Sequence, residues 1–365
     1  MMTDWRESYM NSNTKFNILR TLLSVGIALL ISFIIIFFTS HEPVKAIVEL
    51  LTGPLKSTRR FGNVIEAMIP LIFTGVGVSI MFSANQINLA GEGSFHIGGL
   101  VATVIALNTT LPAGISPLVC ILLAGIAGAL VTAVPAILKI KTESDILVSS
   151  LMMNYLILYF SNYILSYFIK DPSAGSVVSY AIPDVTQFST IFSGTRIHIG
   201  LIIALAMALL GYVFLYKTKI GYELRVTGEN QEFARYSGIN ILKITLISSL
   251  LGGFIIGLGG GVEILGMYNR FSWTSLLGYG WDAIIITTLA KKNPLYVPFA
   301  AFFLAYLRTG ASIMSRSTDV VTEIVIITQG LIILFIVAEQ FLSKYKHRMI
   351  AKEAKATLSN IKEAE

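Results

Sequence analysis

The chain has 365 residues, of which 54% are hydrophobic and only 13% charged, about half the charged share of an average soluble domain. A water-facing surface cannot be built from that composition, so a soluble globular chain is excluded, and the net charge of +6 reads as membrane topology rather than nucleic-acid binding. The single cysteine, Cys120, lies in an apolar run, which excludes a disulfide framework and a cysteine-based metal site.

Apolar runs of about 17 to 25 residues, the length that crosses a bilayer, predict helices near 18–38, 64–83, 94–110, 116–138 and 146–169. The first run is too long for a signal-peptide core and no small-x-small cleavage site follows it, so it reads as an uncleaved anchor. A second set falls near 198–216, 243–265, 279–290, 295–312 and 322–342, the run at 279–290 being too short to cross alone. The fold class is an all-α integral membrane protein of about ten transmembrane helices, with a membrane domain over 18–342 between a segment 1–17 and a tail 343–365. An even number of crossings puts both termini on one side. Eighteen of the 27 Lys and Arg residues fall on that side, which the positive-inside rule makes the cytosol of a multi-pass plasma-membrane protein. The basic tail reads as a solvated helix at the membrane edge.

Two stretches interrupt the helical pattern. Phe82 to Gly93, FSANQINLAGEG, sets two Asn, a Gln and a Glu between apolar runs, and Gly252 to Gly266, GGFIIGLGGGVEILG, is rich in glycine. Each pairs glycines with one acid, Glu92 and Glu263, 171 residues apart. Broken helices starting from opposite faces suggest an inverted repeat of helices two to five and six or seven to ten, a transporter architecture.

An ionised carboxylate costs about 2.5 kcal/mol or more at the centre of a membrane helix, so Glu92, Glu263 and Asp282 are expected to face the interior or a wet path. Asp145 and Glu66 fit helix ends at the headgroup level. For Glu92 and Glu263 two roles stay open, capping of broken backbone and lining of a substrate path. Asn85, Asn88 and Asn154 are polar enough to bind a hydroxylated solute and equally suited to joining helices. Gly253, Gly257 and Gly261, spaced by four like Ala124, Gly128, Thr132 and Ala136, let helix backbones approach closely, with no gating role attached. The four histidines, His41, His96, His198 and His347, are scattered and no H-E-x-x-H or G-x-S-x-G motif occurs, so no catalytic residue, metal or cofactor is expected.

The most informative polar stretch is the loop 217–242. Asn230 can cap a short helix from Gln231 to Ser237, with Glu232 at its positive end and Gly238 as a left-handed stop. Phe233 and Tyr236 then share one face that so small a helix cannot hide. That face lies on the bilayer surface or fits the groove of a cytosolic partner.

Three segments together resemble the permease subunits of ATP-binding-cassette importers of the branched-chain amino acid, ribose and nucleoside group. They are NLAGEG at Asn88 to Gly93, RVTGENQEFARYSGI at Arg225 to Ile239, and LLGYGWDAIIITTLAKKNP at Leu276 to Pro294. The third is similar to the nucleoside branch in particular, although Ala283, Ala290, Lys291 and Lys292 depart from its usual pattern. The resemblance implies a pore of two permease subunits, the same or homologous, with a cytosolic ATPase and an extracellular solute-binding protein as partners. It also implies that Gly228, Glu229, Asn230, Phe233, Ala234, Tyr236 and Gly238 form the coupling element toward the ATPase. No G-x-x-x-x-G-K-[ST] phosphate loop occurs, so ATP is expected to be used by partner subunits. The long outer segment, 170–197, is the expected docking surface for the binding protein, with a lid as the alternative. Import of a nucleoside is thus the expected function, with simple sugars, branched-chain amino acids and ion-coupled transport as alternatives.

Overall fold

The computed structural model describes residues 40–320 apart from 110, 113 and 193, together with single positions at 26, 30, 31, 33–38, 327, 330 and 334. Apart from those positions, the spans expected near 18–38 and 322–342, the segment 1–17 and the tail 343–365 lie outside the described residues.

Among the described residues the chain is helical: α1 Pro43–Thr52, α2 Thr58–Ser83, α3 Gly91–Asn108, α4 Ile115–Thr142, α5 Ile146–Ile164, α6 Gly200–Lys217, α7 Lys219–Glu229, α8 Gln231–Tyr236, α9 Ile241–Met267, α10 Tyr279–Leu289 and α11 Val297–Ser317. Helix α5 runs on as a π-helical turn over Leu165–Ile169. Six of these helices, α2, α4, α5 with its extension, α6, α9 and α11, are long and apolar enough to cross a membrane. Helix α3 has 18 residues but carries Glu92 and His96 in its first two turns. Helix α10, with 11 residues, is about 16 Å long, half a bilayer.

Two expectations are corrected. The glycine-rich stretch 252–266 does not break its helix, because α9 is continuous from Ile241 to Met267; the chain leaves the helix only over 268–278. Glu66 is not at a helix end either. Ser57 caps α2 by accepting the amide hydrogen of Arg60 at 3.2 Å, so the helix starts six residues before the apolar run and carries Glu66 two turns inside.

The chain forms two compact units, residues 54–309 and residues 1–53 with 310–365. In the larger unit α9 is central and packs on α2, α3 and α4. The two stripes of small residues meet face to face: a Cβ on Gly257 would stand 2.5 Å from the Ala124 carbonyl oxygen and 2.8 Å from the Gly128 Cα. Only a helix without side chains there can approach so closely. In the smaller unit, helix α1 begins with Pro43 in its first turn, where a missing N–H costs nothing, and buries Ala46 and Leu50 with Ile36, Ala311, Met314 and Val320. Asp319 closes this unit, accepting from the Ser40 hydroxyl at 2.5 Å and the His41 amide at 2.6 Å.

Candidate translocation path and coupling helix

The segment between α2 and α3 is irregular backbone among buried helices, and its polar groups must be satisfied by protein. Asn88 donates to the Thr132 carbonyl at 2.9 Å and to the Ser249 hydroxyl at 3.4 Å, and accepts the amide of Ala90 at 3.1 Å. Asn154 on α5 accepts from the Gly93 amide at 2.8 Å and donates to the Leu89 carbonyl at 3.0 Å. The Ser150 hydroxyl accepts the Leu89 amide at 2.9 Å, and Lys139 holds the buried Gln86 at 2.9 Å. Asn88 and Asn154 therefore use their amides to tie the start of α3 to α4, α5 and α9.

Glu92 continues this pattern across the fold. Its two carboxylate oxygens accept the amide hydrogens of Gly278 at 2.6 Å and Gly280 at 2.5 Å, where α10 begins. Those N–H groups have no partner within their own helix, and the helix dipole favours a negative charge there. Asp282, one turn on and 3% exposed, is held by the two terminal guanidinium nitrogens of Arg308, Nη2 donating to Oδ1 and Nη1 ion-paired with Oδ2. The charge sits at the favourable end of α10 and is neutralised, which is how a buried acid is tolerated in a membrane. Thr287 then fastens α10 to α2 by donating to the Gly75 carbonyl at 3.0 Å.

Glu263 has no such partner. It is 5% exposed, and its Oε2 is buried without a hydrogen bond. Asn85, by contrast, is not part of the interior cluster. It is exposed, in the left-handed region at φ 54°, and its backbone abuts Gly228 of α7, where a Cβ would stand 3.4 Å from the Asn85 nitrogen. The structure thus groups Asn88, Asn154, Glu92 and Asp282 as fasteners of α3 and α10, leaves Glu263 unengaged, and moves Asn85 to the other loop.

That loop is more ordered than its sequence suggested. Helix α7 precedes the expected short helix and was not anticipated; its signal is Thr218, whose hydroxyl accepts the Gly221 amide at 3.1 Å as an N-cap. Arg225 lies over the Tyr216 ring at 4.7 Å and donates to the Leu215 carbonyl at 3.1 Å, locking α7 to the end of α6. Helix α8 spans Gln231–Tyr236, with Asn230 accepting the Phe233 amide at 3.0 Å and Gly238 in the left-handed region at φ 79°. Ala234 is buried, while Phe233 is 57% and Tyr236 87% exposed. Two large aromatic rings are presented on a six-residue helix.

On the segment 170–199, Asp171 pairs with Arg270 at 2.6 Å, and the Ser179 amide donates to the Phe271 carbonyl at 3.0 Å. The Ile182 and Phe188 amides donate to the Asn269 and Leu265 carbonyls at 2.8 and 2.9 Å. Hydrogen bonds from Ser173 and then Arg270 pull the Asp171 carboxyl from its ordinary 3.8 down to about 2. The segment is pinned along the end of α9, leaving Tyr180, Val185 and Phe192 exposed.

Residues 61–337 match the family described as branched-chain amino acid transport system, permease component. The chain is 30% identical to the glucose ABC transporter permease protein TsgB13 of Haloferax volcanii, covering 89% of this chain and 88% of that protein. It is 28% identical to the guanosine ABC transporter permease protein NupP of Bacillus subtilis, over 88% of this chain and 93% of that one. It is 26% identical to the nucleoside ABC transporter permease protein NupB of Lactococcus lactis subsp. cremoris, over 90% and 92%. No solved structure matches the chain.

Proposed function

The chain belongs to the branched-chain amino acid transport system permease family, and from that premise we propose that it carries a nucleoside, or a related ribose-containing solute, into the cytosol. As a permease of that family it is a transport component without an ATPase site of its own. Separate ATP-binding-cassette subunits drive it in this reading, with a second permease, identical or homologous, completing the pore. The observation that carries the coupling is α8: a capped helix whose Phe233 and Tyr236 rings stand in the open, on a base locked by Arg225 to α6. Apolar rings on a rigid stub suit a groove in a partner that moves.

In this reading both termini are cytosolic and the chain crosses the plasma membrane about ten times, the apolar runs at 18–38 and 322–342 and helix α3 adding to the six long helices, with α10 as a half-helix. The pinned segment 170–199 then faces outward and receives the solute-binding protein. The nucleoside assignment is supported by the names of the NupP and NupB relatives and by the segment Leu276 to Pro294. The glucose permease relative favours a simple sugar as the second reading.

Uptake of labelled guanosine into cells expressing the complete transporter, competed by adenosine, glucose or leucine, separates these readings. Adenosine should compete and the others should not; competition by glucose alone would replace the nucleoside with a sugar.

A further inference from the structure

Helix α5 with its π-helical turn covers 24 residues, Ile146 to Ile169, about 36 Å and enough to cross a bilayer. One face is fixed inward, where Ser150 holds the Leu89 amide and Asn154 holds the Gly93 amide and the Leu89 carbonyl. The opposite face carries Tyr155, Tyr159, Tyr163 and Tyr167, each four residues after the last and so about one turn above it. They are 56, 69, 53 and 77% exposed. The rings of Tyr163 and Tyr167 meet at 5.1 Å between centroids.

Tyr163 and Tyr167 fit the aromatic belt of a membrane–water interface. Tyr155 and Tyr159 do not, because they lie about 14 and 20 Å along that span of about 36 Å, on either side of its middle. Neither phenol has a hydrogen bond among the described residues. An O–H left without a partner in hydrocarbon is heavily penalised.

The neighbouring spans show what this chain presents to lipid. The large hydrophobic residues exposed on α4, such as Leu122, Ile126 and Leu130, and on α6, such as Ile202, Leu205 and Leu209, are all aliphatic. The face of α5 differs in kind: a row of phenols with Met152, Leu156 and Phe160 alongside, and no charged residue from 146 to 169. Water satisfies the phenols. Rings with a hydroxyl at the edge suit the face of a sugar or a base together with one of its polar edges, and a surface without charge gives no hold to an ion.

We propose that this face of α5 lines the wet solute path, and that Tyr155 and Tyr159 form a stacking site for a neutral ring solute at its middle. The inference rests on the permease reading above and takes guanosine from it as probe; the wet face requires only water.

Cys120, the single cysteine of the chain, is buried, so Cys120→Ala gives a background in which one new thiol reports its own surroundings. The test places Tyr155→Cys, Tyr159→Cys or, on α6, Leu209→Cys in that background and treats the complete transporter in proteoliposomes with a cationic methanethiosulfonate on both sides of the membrane. The reagent stays in water and reacts with the thiolate, which does not form in hydrocarbon. The mass of the permease subunit gives the rate. All three side chains are exposed, so none of the cysteines removes packing within the chain, and elution as a monodisperse complex confirms the fold. Both α5 cysteines are expected to react at least about ten-fold faster than Leu209→Cys. At about ten times its dissociation constant guanosine is expected to slow both reactions about ten-fold, since only the unoccupied site reacts. The proposal is overturned if either α5 cysteine reacts as slowly as Leu209→Cys, or if guanosine, ribose and glucose all leave the rates unchanged. Protection by ribose or glucose alone supports the site and replaces the nucleoside. ATP-dependent uptake by the Cys120→Ala parent tests the permease reading separately, so a failure of that reading and a dry face are told apart.

Discussion

Glu92 accepts the amide hydrogen of Gly280 at 2.5 Å, so an acid in the first turn of α3 closes the first turn of α10, 188 residues later. The approach requires glycine, because a Cβ at position 280 would lie 2.5 Å from the Glu92 nitrogen. Two helix starts are thereby fixed to each other, and the half-helix α10 keeps its place against α2 without crossing a whole bilayer.

If Glu92 acts through that contact, its charge matters for stability more than for solute binding. Glu92→Gln leaves one carbonyl oxygen for two donors, a loss of about 1 to 3 kcal/mol. A lower melting midpoint in detergent with little change in the KM for uptake is expected. An unchanged midpoint with a strongly raised KM would put the acid on the solute path instead.

The facing stripes of small residues set the distance between α9 and α4. Gly257→Leu should abolish a folded permease in membranes, since its first side-chain carbon already meets the backbone of α4. Gly175→Ala, in the segment after α5 and with nothing within 4 Å, should melt like the parent. Size-exclusion profiles of the two variants decide the point; similar monodisperse peaks would mean that the close approach is dispensable.

For the coupling helix, Phe233→Asp should remove co-purification of the ATPase while the membrane bundle still inserts and folds. Asn230→Ala, which removes a cap of about 1 kcal/mol, should weaken the association partially. Retention of a full complement of ATPase by Phe233→Asp would refute the role given to α8.

The pin between Asp171 and Arg270 carries a pH signature. The Asp171 carboxyl titrates at about 2 in the folded chain against 3.8 ordinarily, so its contribution is fully present above pH 3.8 and is lost as the pH falls toward 2. Amide exchange at Ser179 and Phe271 should stay slow relative to the intrinsic rate at about pH 5 to 7, and Asp171→Asn should raise it there. Equal protection in the parent and the variant at pH 6 would mean that the backbone bonds hold the segment alone.

Helix existence was legible because apolar runs of bilayer length are a strong signal; α4, α6, α9 and α11 fall close to where composition places them. Short polar helices were harder. Asn230 and Gly238 announced α8, yet Thr218 announced α7 just as clearly and passed unnoticed because the run that follows is not apolar. Ser57 likewise hid the true start of α2, and with it the interior place of Glu66. The glycines of 252–266 were misread as a break because glycine serves both flexible backbone and close packing, and only the facing Gly128 tells which. Among the polar residues the sequence singled out, Glu92, Asp282, Asn88 and Asn154 are interior while Asn85 is exposed, and the sequence named none of their partners. Glu92, Asp282, Asn88 and Asn154 are bound to groups 26 to 188 residues away, and a single chain of letters carries no mark of such pairings.

The central claim, that this permease imports its solute under the drive of separate ATPases, is tested by guanosine uptake into proteoliposomes holding the complete transporter. Uptake that requires ATP on the side of α8 and is indifferent to a protonophore is the predicted result. Uptake that proceeds without ATP and collapses with the proton gradient would contradict the account.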